Sequence, residues 1–280
     1  MFYIQENDKP SIIEKLLCKI KIEGNKIILP TEGKNLTEKK QKQLAKKTLK
    51  ILKRSSSKKT VASKIIAENK KYINILEQEN YINITGKWLY KMLIPEISEY
   101  ILKKENWKQE ETNMYILVND LTDIAIENIK NFAKKYKSIT VITNHIDKLK
   151  KIEEQIYEEQ GVYITVMNNK KKSLSRAKII INFDFPKELI NQYNIYEKAI
   201  IINIPGKLKI NKKRYDGKVI QDYEIKNNNI IQYNQENEKF YAKAIYESKF
   251  YYEQPYRYIR EKIEKDKVMI EKLYLQNAIY

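Results

Sequence analysis

Cysteine is all but absent from these 280 residues: Cys18 stands alone, so no intrachain disulfide can form and an oxidising compartment offers the chain nothing. Histidine is equally scarce. His145 is the only one, and one His with one Cys can build neither a tetrahedral Cys/His zinc site nor a His-Glu-x-x-His helix. Glycine is confined to Gly24, Gly33, Gly86, Gly161, Gly206 and Gly217, so no Gly-x-Gly occurs. That removes the standard dinucleotide loop and the Walker A loop, and Gly-x-Ser-x-Gly is missing as well. No segment approaches the ~18 uninterrupted apolar residues of a membrane span. The opening Met1 to Asp8 is acidic where a secretory signal carries cations. A cytoplasmic chain without a membrane partner is the expectation.

What is abundant is lysine. The chain carries 54 basic against 36 acidic residues, a formal charge of +18. Only Arg54, Arg176, Arg214, Arg257 and Arg260 are arginines, and Ile, Asn and Tyr are plentiful, a pattern that fits the codon bias of an AT-rich genome. Specific readout of bases and phosphates favours the bidentate guanidinium, so nucleic acid is expected at most as a non-specific partner. With 42% hydrophobic residues, the mean hydropathy of −0.65 reflects Lys and Asn rather than a missing core. The length suits two compact domains.

Apolar periodicity divides the chain into an N-terminal mixed α/β domain over 1–108, a Rossmann-like domain over 109–206, and a C-terminal irregular region with closing helices over 207–280. In the first, Lys26 to Leu29 and Thr60 to Ser63 read as strands. Helices are predicted from Thr37 to Lys53, with Leu44, Ala45, Thr48, Leu49 and Leu52 inward, from Ala67 to Glu79, and from Trp88 to Lys104. Strands are then expected at Met114–Val118, Ile139–Thr143, Val162–Met167, Lys178–Phe183 and Ala199–Ile204. The helix between the first two carries a stripe of Ala125, Ile129, Phe132, Ala133 and Tyr136. Asn144 with Asp147 is placed to cap the next helix, and Gly161 to end it. Nearly continuous Ile/Val strands separated by helices imply a parallel sheet buried on both faces, in the order 3-2-1-4-5. Beyond Pro205, strand-like pieces at Lys218–Ile220 and 230–233 precede two expected helices, Glu236–Glu253 and Tyr256–Gln276. The aromatic band Phe240, Tyr241, Tyr246, Phe250, Tyr251 and Tyr252 reads either as stacking platforms for bases or, more plainly, as the docking face of a terminal helix.

The segment ITVITNHIDKLKKI, as second strand and helix, resembles the nucleotide-binding half of shikimate dehydrogenases and glutamyl-tRNA reductases, where that strand commonly ends in Asn-Arg-Thr. SLSRAKIIINFD resembles their later strand, and the resemblance covers roughly Met114 to Ile204. It implies a degenerate NAD(P)-binding Rossmann-like domain. The departures are specific. Where the family runs from its first strand into Gly-x-Gly-x-x-Gly, this chain has Val118-Asn119-Asp120-Leu121-Thr122-Asp123, which puts carboxylates where a pyrophosphate would approach the helix. At the second strand end His145 stands in place of the family arginine that reads a 2′-phosphate, while Asn144 is retained. His145 has a plainer reading as a surface residue in the first helical turn. The shikimate-site motif Asn-x-Thr-x-Pro-x-Lys is absent from the first domain, so no catalytic residue carries over.

In an open α/β sheet the ligand crevice lies beyond the C-terminal strand ends, near the switch in strand order. Asn119, Asp120, Thr122, Asn144, His145, Asn168 and Asp184 fall there and form the candidate site. Asp120, Asp123 and Asp184 could hold a hard cation if they converge, or more simply cap helices. No cofactor and no reaction are specified. Three readings stay open: a ligand-sensing or partner-binding protein taking an unidentified small molecule or protein, an atypical NAD(P)-dependent oxidoreductase of shikimate dehydrogenase type, and a basic nucleic-acid-associated protein.

Overall fold

The computed structural model describes residues 1–32, 36–168, 172–226, 238–276 and 278–280. Two compact units emerge, Met1–Lys87 with Asn227–Glu253 and Trp88–Lys226 with Gln254–Tyr280.

In the first unit, strands β1 (Phe2–Glu6), β2 (Lys21–Glu23), β3 (Lys26–Leu29), β4 (Lys59–Ala62) and β5 (Ile82–Asn83) form one sheet in the order β2-β3-β1-β4-β5. All neighbours are parallel except β2, which turns back on β3. Its helices are α1 (Ile12–Leu17), α2 (Glu38–Leu52), α3 (Lys64–Ala67) and α4 (Lys70–Gln78). The face of α2 that the spacing predicts, Leu44, Ala45, Thr48, Leu49 and Leu52, is the buried one. The helix expected from Ala67 to Glu79 is broken at Asn69, whose side-chain amide bonds Ile65 O at 3.0 Å and accepts Leu36 N–H at 3.2 Å. Such local side-chain bonding competes with helix continuation. The first of the two terminal segments returns here. Phe240 meets Tyr3 edge-to-face, with ring centroids 5.6 Å apart, and shares a core with Val61, Ile84, Ala244 and Ile245. The aromatic band is thus mostly a docking face. Among the described residues its helix spans only Ala242–Glu247, and the strand expected at 230–233 lies outside them.

In the second unit, α5 (Lys87–Met92) and α6 (Ile94–Glu105) are separated at Leu93, just before Pro95. Leu89, Leu93, Ile97 and Ile101 are fully buried. α6 packs against α7 (Asp123–Lys135), which is why these helices belong to this unit rather than to the one before. The strands are β6 (Met114–Leu117), β7 (Ile139–Ile142), β8 (Thr165–Met167), β10 (Ile179–Asn182), β12 (Ile200–Asn203) and β13 (Lys218–Ile220). They lie in the order β8-β7-β6-β10-β12-β13, with every neighbour parallel. In order of succession this is 3-2-1-4-5-6, the strand order of a Rossmann-like sheet. β9 (Ser173–Leu174) and β11 (Asn194–Ile195) form a small parallel pair beside it.

One face of the large sheet, with Leu117, Ile142, Ile180 and Ile201, packs on Leu174, Phe185, Ile190 and Tyr193. The alternate residues Ile116, Val141, Ile179, Ile181, Ile200 and Ile202 are equally sealed. Burial on both faces is the physical reason these strands read as unbroken apolar runs. α8 (Ile146–Gln160) buries Leu149, Ile152 and Ile156, and Gly161 ends it at φ +66°.

The second terminal helix is shorter than expected. It covers Tyr256–Lys265, Lys267 takes φ +50°, and Met269–Tyr274 becomes β15, antiparallel to β14 (Asp222–Lys226). β-branched Val268 and Ile270 favour the extended chain, and Leu273, Tyr223 and Ile225 supply the burial that decides it. Among the described residues no helix is long and apolar enough to cross a membrane.

Candidate functional site

The crevice follows from the sheet: β6 ends at Leu117 and β7 at Ile142, while β10 ends at Asn182 on the other side of β6. Parallel hydrogen bonds run one residue beyond each strand. Val118 N–H reaches Ile142 O at 3.0 Å, Phe183 N–H reaches Leu117 O at 2.9 Å, and Thr143 N–H reaches Met167 O at 3.1 Å. The next residue of each loop is then aimed into the space above the sheet.

Asp184, which follows β10, bonds the loop that follows β6. Its carboxylate accepts Asn119 N–H through both oxygens, at 2.9 and 2.8 Å, and Asp120 N–H at 2.5 Å. These are the backbone donors of the loop between the first strand and α7. In a dinucleotide-binding protein that loop faces phosphate, because its free N–H groups and the positive end of the helix favour an anion. Here a side chain of the same chain supplies the anion.

The neighbouring groups are tied to one another in the same way. Asn119 Oδ1 accepts Asn144 N–H at 2.9 Å, which joins the first and second strand ends. Thr143 Oγ1 accepts His145 N–H at 3.0 Å. Thr122, rather than Asp120 or Asp123, caps α7, its hydroxyl accepting Ala125 N–H at 3.4 Å. His145 is the N-cap residue of α8 and makes no side-chain cap bond, so the cap expected of Asn144 is not formed. Asn144 contributes its backbone instead.

Behind the crevice two buried amides brace the other half of the sheet. β10 and β12 carry the same sequence, Ile-Ile-Ile-Asn, in register, so Asn182 faces Asn203. Asn182 Nδ2 donates to Asn203 Oδ1 at 2.7 Å and to Phe185 O at 3.0 Å, and its Oδ1 accepts Phe185 N–H at 2.8 Å. Asn203 Nδ2 donates to Pro205 O and Gly206 O, each at 3.0 Å. Every amide group in this pair has a partner, which is what allows two polar side chains to be buried. The pair also fixes the turn that presents Asp184.

The structure therefore brings Asn119, Asp120, Asn144 and Asp184 into one bonded cluster, with Thr122 and His145 beside it in the chain. Asn168 directly follows β8. Asp120, Thr122, Asn144 and His145 are exposed, and Asn119, Asn168 and Asp184 half-buried. Asp120, Asp123 and Asp184 do not converge as cation ligands: among the described residues no three His, Cys, Asp or Glu side chains are grouped to hold a metal. The clamp by Asp184 was not anticipated. Its signal is the adjacency of the first and fourth strands, which sets a carboxylate following the fourth strand beside the loop following the first.

No protein-family model and no curated protein sequence matches the chain. Solved structures match in part. One is a shikimate 5-dehydrogenase from Listeria monocytogenes determined with shikimate and NAD, 12% identical, covering 45% of this chain and 51% of that one at a TM-score of 0.32. Another is an L-tryptophan dehydrogenase from Nostoc punctiforme, 13% identical, covering 76% of this chain and 66% of that one at a TM-score of 0.33. The chain thus spans about half the length of the first and just under two thirds of the second. The strand order, rather than these overlaps, carries the assignment of a Rossmann-like sheet.

Proposed function

We propose that this chain is a Rossmann-like ligand-sensing or partner-binding protein whose first crossover loop is filled by its own carboxylate instead of a dinucleotide phosphate. The bond set of Asp184 to Asn119 and Asp120 carries this reading. A pyrophosphate entering the loop would have to displace one carboxylate and then meet the exposed Asp120. Two unit charges of like sign at 4 Å repel by about 4 kcal/mol at an effective dielectric of about 20, more than a helix N-terminus returns. The ligand that suits the crevice is a small polar molecule, neutral or cationic, for which Asp120, Asn144, His145 and Asn168 offer donors and acceptors.

The strand order favours a second reading, an atypical NAD(P)-dependent oxidoreductase, because this order is widely used to bind dinucleotides. Calorimetry separates the two. The first reading expects no binding of NAD or NADP at micromolar concentration, and expects Asp184→Ala, with two loop N–H groups released, to be stabilised by pyrophosphate where the wild type is not. A micromolar dissociation constant for either cofactor on the wild-type chain would put the oxidoreductase reading first.

A further inference from the structure

Five of the seven exposed isoleucines and leucines among the described residues fall between residues 12 and 22: Ile12 at 82%, Ile13 at 69%, Leu16 at 78%, Leu17 at 57% and Ile22 at 53%. α1 is an amphipathic helix turned inside out. Ser11 accepts Glu14 N–H while the Glu14 carboxylate accepts Ser11 N–H. Lys21 adds an ion pair to Glu14 at 2.7 Å, and Lys15 one to Glu32 at 2.9 Å. Lys47 of α2 holds the far end by bonding Leu17 O at 2.5 Å and Cys18 O at 3.1 Å. Polar groups fasten the helix to its unit and the aliphatic side chains face outward. A concentrated apolar patch of this kind marks an interaction surface.

The strand that follows lies at the edge of its sheet, with β3 as its one neighbour among the described residues. The Gly24–Asn25 turn, Gly24 at φ +58°, brings Glu23 opposite Lys26. A two-residue turn closes on a hydrogen-bonded pair, and such pairs alternate along an antiparallel ladder. The N–H and C=O of Ile22 therefore point away from β3. The Ile22 side chain stands opposite Ile27, on the face whose core includes Leu44, Leu49 and Cys18. The free backbone edge and the aliphatic helix thus adjoin.

We propose that this edge is the interface of a symmetric dimer, its occupant a second copy of the chain. The two β2 strands pair antiparallel about Ile22, and each α1 covers the aliphatic side chains of the other. Lys21-Ile22-Glu23 is its own complement in that register. Ile22 exchanges both hydrogen bonds with Ile22 of the partner subunit, while Lys21 faces Glu23 of the partner subunit on one flank and the reverse pair forms on the other. Opposite charges across an antiparallel pair stabilise it and like charges oppose it.

Sedimentation equilibrium of the full chain tests this. A dimer is expected with a micromolar or tighter dissociation constant. Ile22→Pro removes the outward N–H together with the Ile22 side chain of the patch, a change an edge strand tolerates, and should weaken association at least about tenfold while the circular dichroism stays native. Glu23→Lys and Lys21→Glu should each weaken self-association, the second also by loosening α1 through the lost pair with Glu14, whereas the two single variants mixed together should associate with each other more tightly than either does with itself. A wild-type chain that stays monomeric at about 100 µM overturns the proposal, as does a monomer that sediments with anionic vesicles instead. Charge variants that neither weaken association alone nor recognise each other would overturn the register.

Discussion

At the scale of single residues, two charged side chains of the second unit are engaged within that unit. Arg260, one of five arginines, grips Glu96 through two bonds of 2.8 and 2.7 Å and adds a third to Met92 O at 2.8 Å. A fork-shaped cation used this way is not presented to a phosphate. Glu105 shows the same economy with a measurable consequence. Burial alone would raise its carboxyl, but hydrogen bonds from Lys218 at 2.7 Å and from the Tyr280 hydroxyl at 2.6 Å hold it below the ordinary 4.5. A carboxyl depressed in the folded state contributes its full stability above the unfolded value and loses it as the pH falls through the folded one. Glu105→Gln should therefore lower the melting temperature at neutral pH, and the gap to wild type should close as the pH falls below about 4.5. Thermal melts across that range check it. A gap that stays constant into acid would assign the effect to the neutral hydrogen bond with Tyr280.

At the scale of elements, legibility followed burial. The inward face of α2, the Leu149, Ile152 and Ile156 stripe of α8, and the four inner strands of the large sheet were readable, because a half-buried helix leaves a period in the sequence and a doubly buried strand leaves an apolar run. β1 was not read as a strand, although it is central to its sheet. Its five residues, with Phe2, Tyr3 and Ile4 together, are too short to show a period. β15 was misread as helix because Tyr256 to Lys265 sets a helical rhythm that Met269 to Tyr274 continues on paper, and only pairing with β14 breaks it. Of the candidate site, the strand-end residues were legible from topology. The Asp184 clamp was not, since it joins loops 65 residues apart. One boundary reading can be tested directly. Gly161 caps α8 in the left-handed region with its N–H on Tyr157 O at 2.7 Å, and a Cβ there would touch nothing. Gly161→Ala should then cost only the backbone penalty, about 1 kcal/mol, with Gly161→Asn losing less. Urea denaturation gives the difference, and a loss several times larger would mean that packing, not backbone strain, selects glycine.

At the scale of the whole molecule, the excess of +18 is the feature that most invites a nucleic-acid function, and its distribution argues for a weak one. Lysines are drawn into local pairs, Lys130 with Glu159, Lys135 with Glu99 and Lys218 with Glu105. Acids also interrupt the lysines along α8 at Glu153, Glu154, Glu158 and Glu159. Within the C-terminal aromatic band Phe240, Tyr246 and Phe250 are buried, and Lys59 lies over the rings of Tyr251 and Tyr252. A field that is strong in total but spread over many directions attracts a polyanion without orienting it. Binding to DNA or RNA should therefore be insensitive to sequence. Each phosphate neutralised steepens the fall of log K with log salt by about 0.9, so an affinity built on several such contacts should collapse between low and physiological salt. Fluorescence anisotropy with two unrelated duplexes and one single strand, titrated at several salt concentrations, measures both properties at once. Parallel, steep lines for all three probes are the expected outcome, and one probe holding its affinity at physiological salt would make nucleic acid the principal partner.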